Sequence, residues 1–267
     1  MDQALRAKTF RDLHTGSELL LLANCWDAGS ARVVASCGAR ALATTSAGLA
    51  WARGWPDGNA IPARVLEEAV REIARVTPLP LSVDVEAGLS DDANAAGEAV
   101  ARVIGAGAVG INLEDGAGPP ELLCAKIAAA RRAADRAGIA LFVNARTDVY
   151  LRSLVPAERA LDEALARGQR YAAAGADGFF TPGLVELAPM RALSEGVALP
   201  LNVMWRPQLP STRELRAHGV RRLSAGSALA QAALGSLRRD ASAFLAGAPV
   251  DLATGAMTYG ELNALFG

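Results

Sequence analysis

The chain has 267 residues, of which 51% are hydrophobic and 21% charged, with a formal net charge of -1. That length fits one α/β barrel of about 250 residues, and the composition is a packed globular protein's rather than a disordered one's. The near-neutral charge argues against a nucleic-acid surface, and neither the charged start MDQALRAKTFRDLH nor the short run LLLLA at 19–23 can serve as a signal peptide or membrane span, so a cytoplasmic protein is expected.

Taken in chain order, short apolar runs alternate with longer Ala-rich amphipathic stretches. The runs are 18–25, 39–46, 79–86, 108–115, 139–146, 176–182, 199–204 and 220–225, which makes eight candidate strands. Helix-like stretches at 61–76, 91–106, 119–137 and 156–174 have the length of crossover connections, so the strands should be parallel. A glycine stands just before many runs, at Gly38, Gly107, Gly138, Gly175, Gly196 and Gly219, where an αβ loop wants a residue that tolerates positive φ. Eight such units without a linker read as an α/β fold of the (β/α)8 TIM-barrel type, with 1–267 as a single domain. No GxGxxG follows the first run, which counts against an open dinucleotide-binding sheet. Residues 226–267 form a C-terminal helical extension: one helix over roughly 226–246 and a short one within TYGELNALFG. Its Leu262, Leu265 and Phe266 need a hydrophobic partner, on the same barrel or on a neighbouring subunit.

In this architecture the active site lies at the C-terminal ends of the strands. There the third run ends in SVDVE, the fourth in NLED, the fifth in NARTD and the seventh in NVM, and the loop after the second carries WPDG. Asp84 and Glu86 are two apart and so are expected on one face of their strand. With Glu114, and with Asp57 from a WPDG sequence that is also a good turn, three or four carboxylates converge on one mouth. Packed together in low dielectric they would repel one another or hold protons. A hard divalent cation relieves this, and Mg2+, or Mn2+ in its place, takes a few carboxylates plus waters. Arg146 beside them suits a substrate carboxylate or phosphate. Carboxylates for a metal and an arginine for an anion are a means of holding a small 2-oxo acid, whose oxygens chelate the metal so that it stabilises an enolate.

Scarce residue types prune the alternatives. The only lysines are Lys8, ahead of the barrel, and Lys126, in a helix-like stretch, so no strand end offers a Schiff base. The only histidines are His14, before the first run, and His218, before the last, on the wrong face for a zinc site. Cys25, Cys37 and Cys124 match neither a disulfide framework nor a zinc motif. Cys124 lies in LLCAKIAAA, which reads as a packed helix, and Cys25 reads as a packed thiol. Trp26, Trp55 and Trp205 fall on mouth loops, where they either wall a pocket or serve the structure.

Over nearly its whole length the chain resembles the isocitrate lyase/phosphoenolpyruvate mutase superfamily. The resemblance rests on ANCWDAGSARVVASCGARALATTSAGLAWARGWPDG, SVDVEAG, GINLEDG, VNARTDVYL, PLNVM and RLSAGSALAQAAL, in that order. It implies a barrel whose C-terminal helix is exchanged between subunits, in a homo-oligomer that is a dimer or a tetramer built from dimers. It implies Mg2+ held by Asp57, Asp84, Glu86 and Glu114, several of them through water. Ser46, Ala47 and Gly48 would hold the substrate carboxylate through backbone and hydroxyl, with Arg146 on the same substrate's oxygens and Asn202 as a further substrate-binding residue. Asp57, Arg146 and Glu114 are the expected catalytic residues. The Lys-Lys-Cys-Gly-His segment of the lyase branch is absent, since residues 116–125 read GAGPPELLCA.

The leading expectation is therefore a Mg2+-dependent lyase acting on a small 2-oxo or 2-hydroxy carboxylic acid. A decarboxylase or a C–P bond enzyme on the same scaffold is the alternative, and a phosphorylated substrate would use the Ser224–Ser227 turn. A non-catalytic 2-oxo acid binding protein is the third reading. No membrane or nucleic-acid partner is expected.

Overall fold

The computed structural model describes residues 2–267. All eight apolar runs become strands. The first is split at Ala23 into β1 (Leu20–Leu22) and β2 (Asn24–Cys25). The others are β3 (Leu42–Thr44), β4 (Leu81–Asp84), β5 (Gly110–Glu114), β6 (Phe142–Arg146), β7 (Gly178–Phe180), β8 (Leu201–Met204) and β9 (Val220–Ser224). The order β1-β9-β8-β7-β6-β5-β4-β3-β2 is parallel throughout. Because β1 and β2 are consecutive pieces of one run, that order closes a ring, and the fold is the expected (β/α)8 barrel.

The helices are α1 (Gln3–Thr15), α2 (Ala28–Ser36), α3 (Ser46–Ala52), α4 (Ala63–Val76), α5 (Ala93–Gly105), α6 (Pro120–Ala137), α7 (Ala160–Ala173), α8 (Leu187–Gly196), α9 (Thr212–Ala217), α10 (Ala228–Leu245) and α11 (Tyr259–Ala264). In α4 the buried Leu66, Ala69, Val70 and Ile73 fall at i, i+3, i+4 and i+7, and the solvent face carries the i,i+4 ion pairs Arg64–Glu68 and Glu67–Arg71. Five of the six pre-strand glycines have positive φ, as expected. Gly196 is the exception. It ends α8, and a Cβ there would lie 2.6 Å from the end of the Leu165 side chain, which would have to move aside. Among the described residues no helix is long and apolar enough to cross a membrane.

Two elements are not legible as periodic runs. One is α3, which begins at the cavity rim with Thr45 as its cap. The other is α1, whose sequence looks merely charged. Its Ala7, Phe10, Leu13 and His14 are nonetheless buried, closing the N-terminal end of the barrel with Leu20, Leu22, Ala41, Ala43, Val109 and Phe142. The Phe10 ring meets the Phe142 ring edge-on at 5.6 Å, and His14 stacks on Phe142 at 4.0 Å. Gly110 leaves room for the plug, since a Cβ there would sit 2.6 Å from the Phe10 ring. Outside the barrel, Gln3 donates to the carbonyls of Ile104 and Ala108, and Arg11 pairs with Asp177 at 2.7 Å.

Phe10→Ala should therefore open a cavity in the barrel floor. We expect a loss of about 3–5 kcal/mol in urea unfolding, and a loss under 1 kcal/mol would mean that α1 is dispensable.

Candidate active site

A cavity of about 270 Å³ opens at the C-terminal ends of the strands. Asp84, Asn112 and Arg146 reach it from β4, β5 and β6; Thr45, Ser46 and Ala47 from the start of α3; and Asp57, Phe180, Met204, Arg206 and Ser224 complete most of the wall. Larger grooves of about 670 and 530 Å³ lie outside the barrel against β1, α2 and α9, and hold none of the strand-end carboxylates.

Asp84 is the last residue of β4 and half-buried, with its carboxylate facing the cavity. Burial pushes its pKa up; Arg146 and bonds from the Glu86 N–H and Ser46 hydroxyl oppose this, and the charge of Asp57 adds to it. The expected two-residue alternation does not carry on to Glu86. The strand ends at Asp84, and Glu86 takes φ of 51°, a left-handed conformation that turns the side chain to the Asn59 backbone N–H. The Asn59 side chain in turn accepts from the Ala87 N–H, which clasps the Asp57 loop to the loop after β4. Lys126 ties down the same loop by donating to the Ala87 carbonyl at 2.7 Å. Glu114 ends β5 and pairs with Arg146 at 2.6 Å. Burial pushes its carboxyl up to about 8 against the pull of Arg146, with Asp84, Asp148 and Glu86 contributing repulsion. Glu86 and Glu114 thus border the cavity, while Asp57 and Asp84 line it.

Whether these residues fit Mg2+ can be judged from the donor set. Among the described residues no three His, Cys, Asp or Glu side chains converge closely enough to chelate an ion by themselves. What the cavity offers is hard oxygen: Asp84, Asp57 and the Ser46 hydroxyl, with two more carboxylates at its border. An ion that keeps several of its waters and takes one or two carboxylates directly suits this set, and that describes Mg2+.

Arg146 is fixed rigidly. One side of its guanidinium holds Glu114, and Nε and Nη2 form a fork with Asp148 at 2.7 and 3.2 Å. The carboxylates hold it charged, with a pKa above its ordinary value despite desolvation. Asp148 is fully buried and also accepts from Arg152, while its N–H donates to Asp115. Asp115 is anchored by the Tyr171 hydroxyl at 2.6 Å and by Arg167 at 2.8 Å. The sequence held a signal for Asp148, which stands two residues after Arg146 in NARTD, and for Asp115, next to Glu114; neither was read as part of the site.

Other expectations fall in different places. Ser46 and Ala47 line the cavity, but Gly48 is buried and its N–H is engaged by the Thr45 hydroxyl. Asn202 lies beneath the floor, its NH2 donating to the carbonyls of Val203 and Arg222 and to Ser224. Trp55 and Trp205 are exposed, and Trp26 packs against the core. Residues 116–119 form a tight turn that leads at once into α6, and none of 116–124 lines the cavity. Cys124 faces α7, with its sulfur near the Arg170 carbonyl. Arg206, which the sequence reading passed over, lines the cavity with no ion pair among the described residues, and its buried Nε has no partner.

Asp148→Asn removes half of the support of Arg146 while keeping the shape. Breaking one side of a buried pair costs about 3 kcal/mol, so a drop of that order in urea unfolding is expected. An unchanged midpoint would show that Glu114 alone holds the guanidinium.

Residues 10–245 match the family described as phosphoenolpyruvate phosphomutase. A crystal structure from Burkholderia cenocepacia J2315, provisionally named a phosphonomutase, superposes with a TM-score of 0.84 at 45% identity, over 89% of this chain and 99% of that one. The 2-methylisocitrate lyase of Escherichia coli (strain K12) is 30% identical over 209 residues, 73% of this chain and 68% of the relative. The oxaloacetate decarboxylase of Rhodopseudomonas palustris (strain TIE-1) is 31% identical over 202 residues, 73% and 69% of the two chains. The match runs through every strand of the barrel, and the chain belongs to the phosphoenolpyruvate phosphomutase family of the isocitrate lyase/phosphoenolpyruvate mutase superfamily.

Proposed function

We propose that this enzyme is a Mg2+-dependent carbon–carbon lyase that acts, in the cytoplasm, on a small 2-oxo or 2-hydroxy carboxylic acid by way of its enolate. The observation that carries the reading is the cavity itself, which sets Asp84 and Asp57 together with two arginines, Arg146 and Arg206, around about 270 Å³. That volume lies below the range of drug-sized pockets and suits a small acid. Asp84 would hold Mg2+, with Asp57, Glu86 and Glu114 reaching its waters. Bound there, the ion supplies Lewis-acid stabilisation where negative charge develops on the substrate oxygen. Arg146, Ser46 and the Ala47 backbone orient the substrate carboxylate. Arg206, free of other charge partners, takes a second anionic group, which favours diacids over pyruvate.

One observation favours decarboxylation as the form of the cleavage. The residues that line the cavity include no Cys, His, Lys or Tyr, and the turn after β5 is too short to bring one in. An enolate formed here takes its proton from water, and loss of CO2 needs no protein acid to complete it. The relative named oxaloacetate decarboxylase supports this reading, and the lyase and phosphonomutase relatives define the competing outcomes.

Calorimetry with Mg2+ against pyruvate, oxaloacetate, 2-oxoglutarate and phosphonopyruvate tests the site. Binding of one diacid is expected, lost in Asp84→Ala and weakened about tenfold in Arg206→Met. Metal-independent binding, or none, would sink the proposal. Release of CO2 from the bound acid would establish decarboxylation, phosphate release would replace it with C–P chemistry, and tight binding without turnover would leave a binding protein.

We further propose that 1–267 is one domain whose extension, 226–267, is exchanged between subunits of a homo-oligomer, a dimer or a tetramer. In support, α10 buries only Ala230, while Leu229, Leu234, Leu237, Phe244 and Leu245 are exposed. An apolar groove of about 530 Å³ over β1 and α2, lined by Leu19, Leu21 and Val33 and bordered by Leu229 at the start of α10, offers room for such a helix. Leu237→Glu with Phe244→Glu should convert the oligomer to monomer in light scattering; an unchanged mass would refute the exchange.

A further inference from the structure

The floor of the cavity carries a polar network that no step of the proposed function uses. At its root is Arg222 of β9, fully buried and without a carboxylate partner. It crosses the barrel interior to donate from Nη2 to Asn112 Oδ1 on β5 at 3.1 Å, and from Nε to Ser224 Oγ at 3.3 Å. Burial lowers its pKa to about 9, which leaves it charged at neutral pH, and the charge of Asp84 helps keep it so.

The orientation of every amide in this network follows from groups that cannot be reversed. Asn202 Nδ2 lies 2.7 Å from the Val203 carbonyl and 3.1 Å from the Arg222 carbonyl, so this end of the amide must be the donor. Its Oδ1 therefore faces Asn144, whose NH2 donates to it at 3.0 Å. The same NH2 donates to Asn112 Oδ1 at 2.9 Å. Arg222, which can only donate, fixes that oxygen independently. Reversing Asn112 would set its NH2 against two donors at once. With Oδ1 held from below, the NH2 of Asn112 is left with no partner among the described residues, on a residue that lines the cavity beside Asp84. The Ser224 hydroxyl is already used, since it accepts from Arg222 and Asn202 and donates to Asn202 Oδ1.

We propose that Asn112 presents its NH2 as the floor donor that recognises an oxygen of the bound acid, and that Arg222 is the positioning residue that holds it in that orientation. A carboxylate, carbonyl or enolate oxygen satisfies this donor, whereas a hydroxyl group does so less well and a methyl group leaves a buried donor unpaired. The inference rests on the proposed 2-oxo acid site and adds to it a recognition element for one of the acid's oxygens.

Oxalate, a planar dianion with the oxygen pattern of the enolate, is the probe, titrated with Mg2+ present. Asn112→Ala should raise its Kd about tenfold to a hundredfold, the worth of a hydrogen bond to a charged group, while binding of Mg2+ alone stays unchanged. Arg222→Lys keeps the charge but loses the fork, so it should weaken oxalate in the wild-type background and cost nothing more once Asn112 is alanine. A purely structural role for Arg222 would instead give the same loss in both backgrounds. Wild-type affinity in Asn112→Ala would overturn this inference alone, and no oxalate binding by the wild type would overturn the proposed function with it. If Arg222→Lys does not fold, the wild type labelled with 15N-asparagine decides the matter. The Asn112 side-chain NH2 resonances must move on adding oxalate, and a stationary pair overturns the proposal.

Discussion

Everything in this molecule follows from closing a ring of very short parallel strands. Strands of two to five residues send only one to three side chains inward each, so the interior is settled by few choices. At the N-terminal end those choices are large and apolar, and even so the ring is not filled by its own strands. Helix α1 supplies Phe10, Leu13 and His14, and β5 gives up a side chain at Gly110 to admit them. At the C-terminal end the inward positions are Asp84, Asn112, Asn144, Arg146, Asn202, Arg222 and Ser224. The barrel is thus apolar below and polar above, and the change occurs within one or two residues along each strand.

A polar interior has to be satisfied group by group, because an unpaired buried donor or charge costs more than a made bond returns. Two solutions operate side by side. Around Arg146 the charges are paired: Glu114 and Asp148 hold the guanidinium, and Asp115, Arg167 and Tyr171 hold the loop that carries Asp148. Beneath the floor, neutral amides solvate one unpaired cation, Arg222, through Asn112 and Ser224. The paired region is stiff and carries little net charge. The cavity between the two regions is left with the groups that internal pairing does not consume, namely Asp84, Asp57, Arg206 and the Asn112 amide. Groups left over in this way are the ones free to meet a ligand.

The fold was legible because its signals are local. Each apolar run is a strand, and five of six flagged glycines sit at positive φ, since periodicity and turn chemistry are written in neighbouring residues. Asp84 and Arg146 were legible for the same reason, since strand ends in a barrel point to one mouth; Asp57 stood in the WPDG loop, and Ser46 and Ala47 came only with the family resemblance. Glu86 was misplaced because one left-handed residue breaks the alternation that the sequence suggests. Arg222, Asn112 and Arg206 were missed because their meaning lies in contacts across the ring. Arg222 and Asn112 are 110 residues apart and touch only once the barrel has closed. Helix α1 was missed because charged residues are scattered through it, and its apolar face shows itself only against the ring that it plugs.

Binding and bond cleavage are separable parts of this site. Holding a 2-oxo acid requires carboxylates, hydroxyls and cations on the strand ends, and those residues are fixed by the barrel frame. Choosing which bond breaks falls to whatever covers the mouth and delivers or withholds a proton. In this chain the connection after β5 is a turn of a few residues closed by Gly118 on Asp115, and α6 starts at once with Pro120. No residue of that turn lines the cavity, whereas Asp57, Asp84, Arg146 and Arg206 do. Under the proposed decarboxylation, water is the acid that protonates the enolate, and the protonated ketone then leaves. On the proposed reading, no second carbon fragment needs to be held, and specificity falls to the floor and to the far cation. Asn112 and Arg206 stand there, and local sequence pattern flags neither, because their place in the cavity is set by contacts across the closed ring.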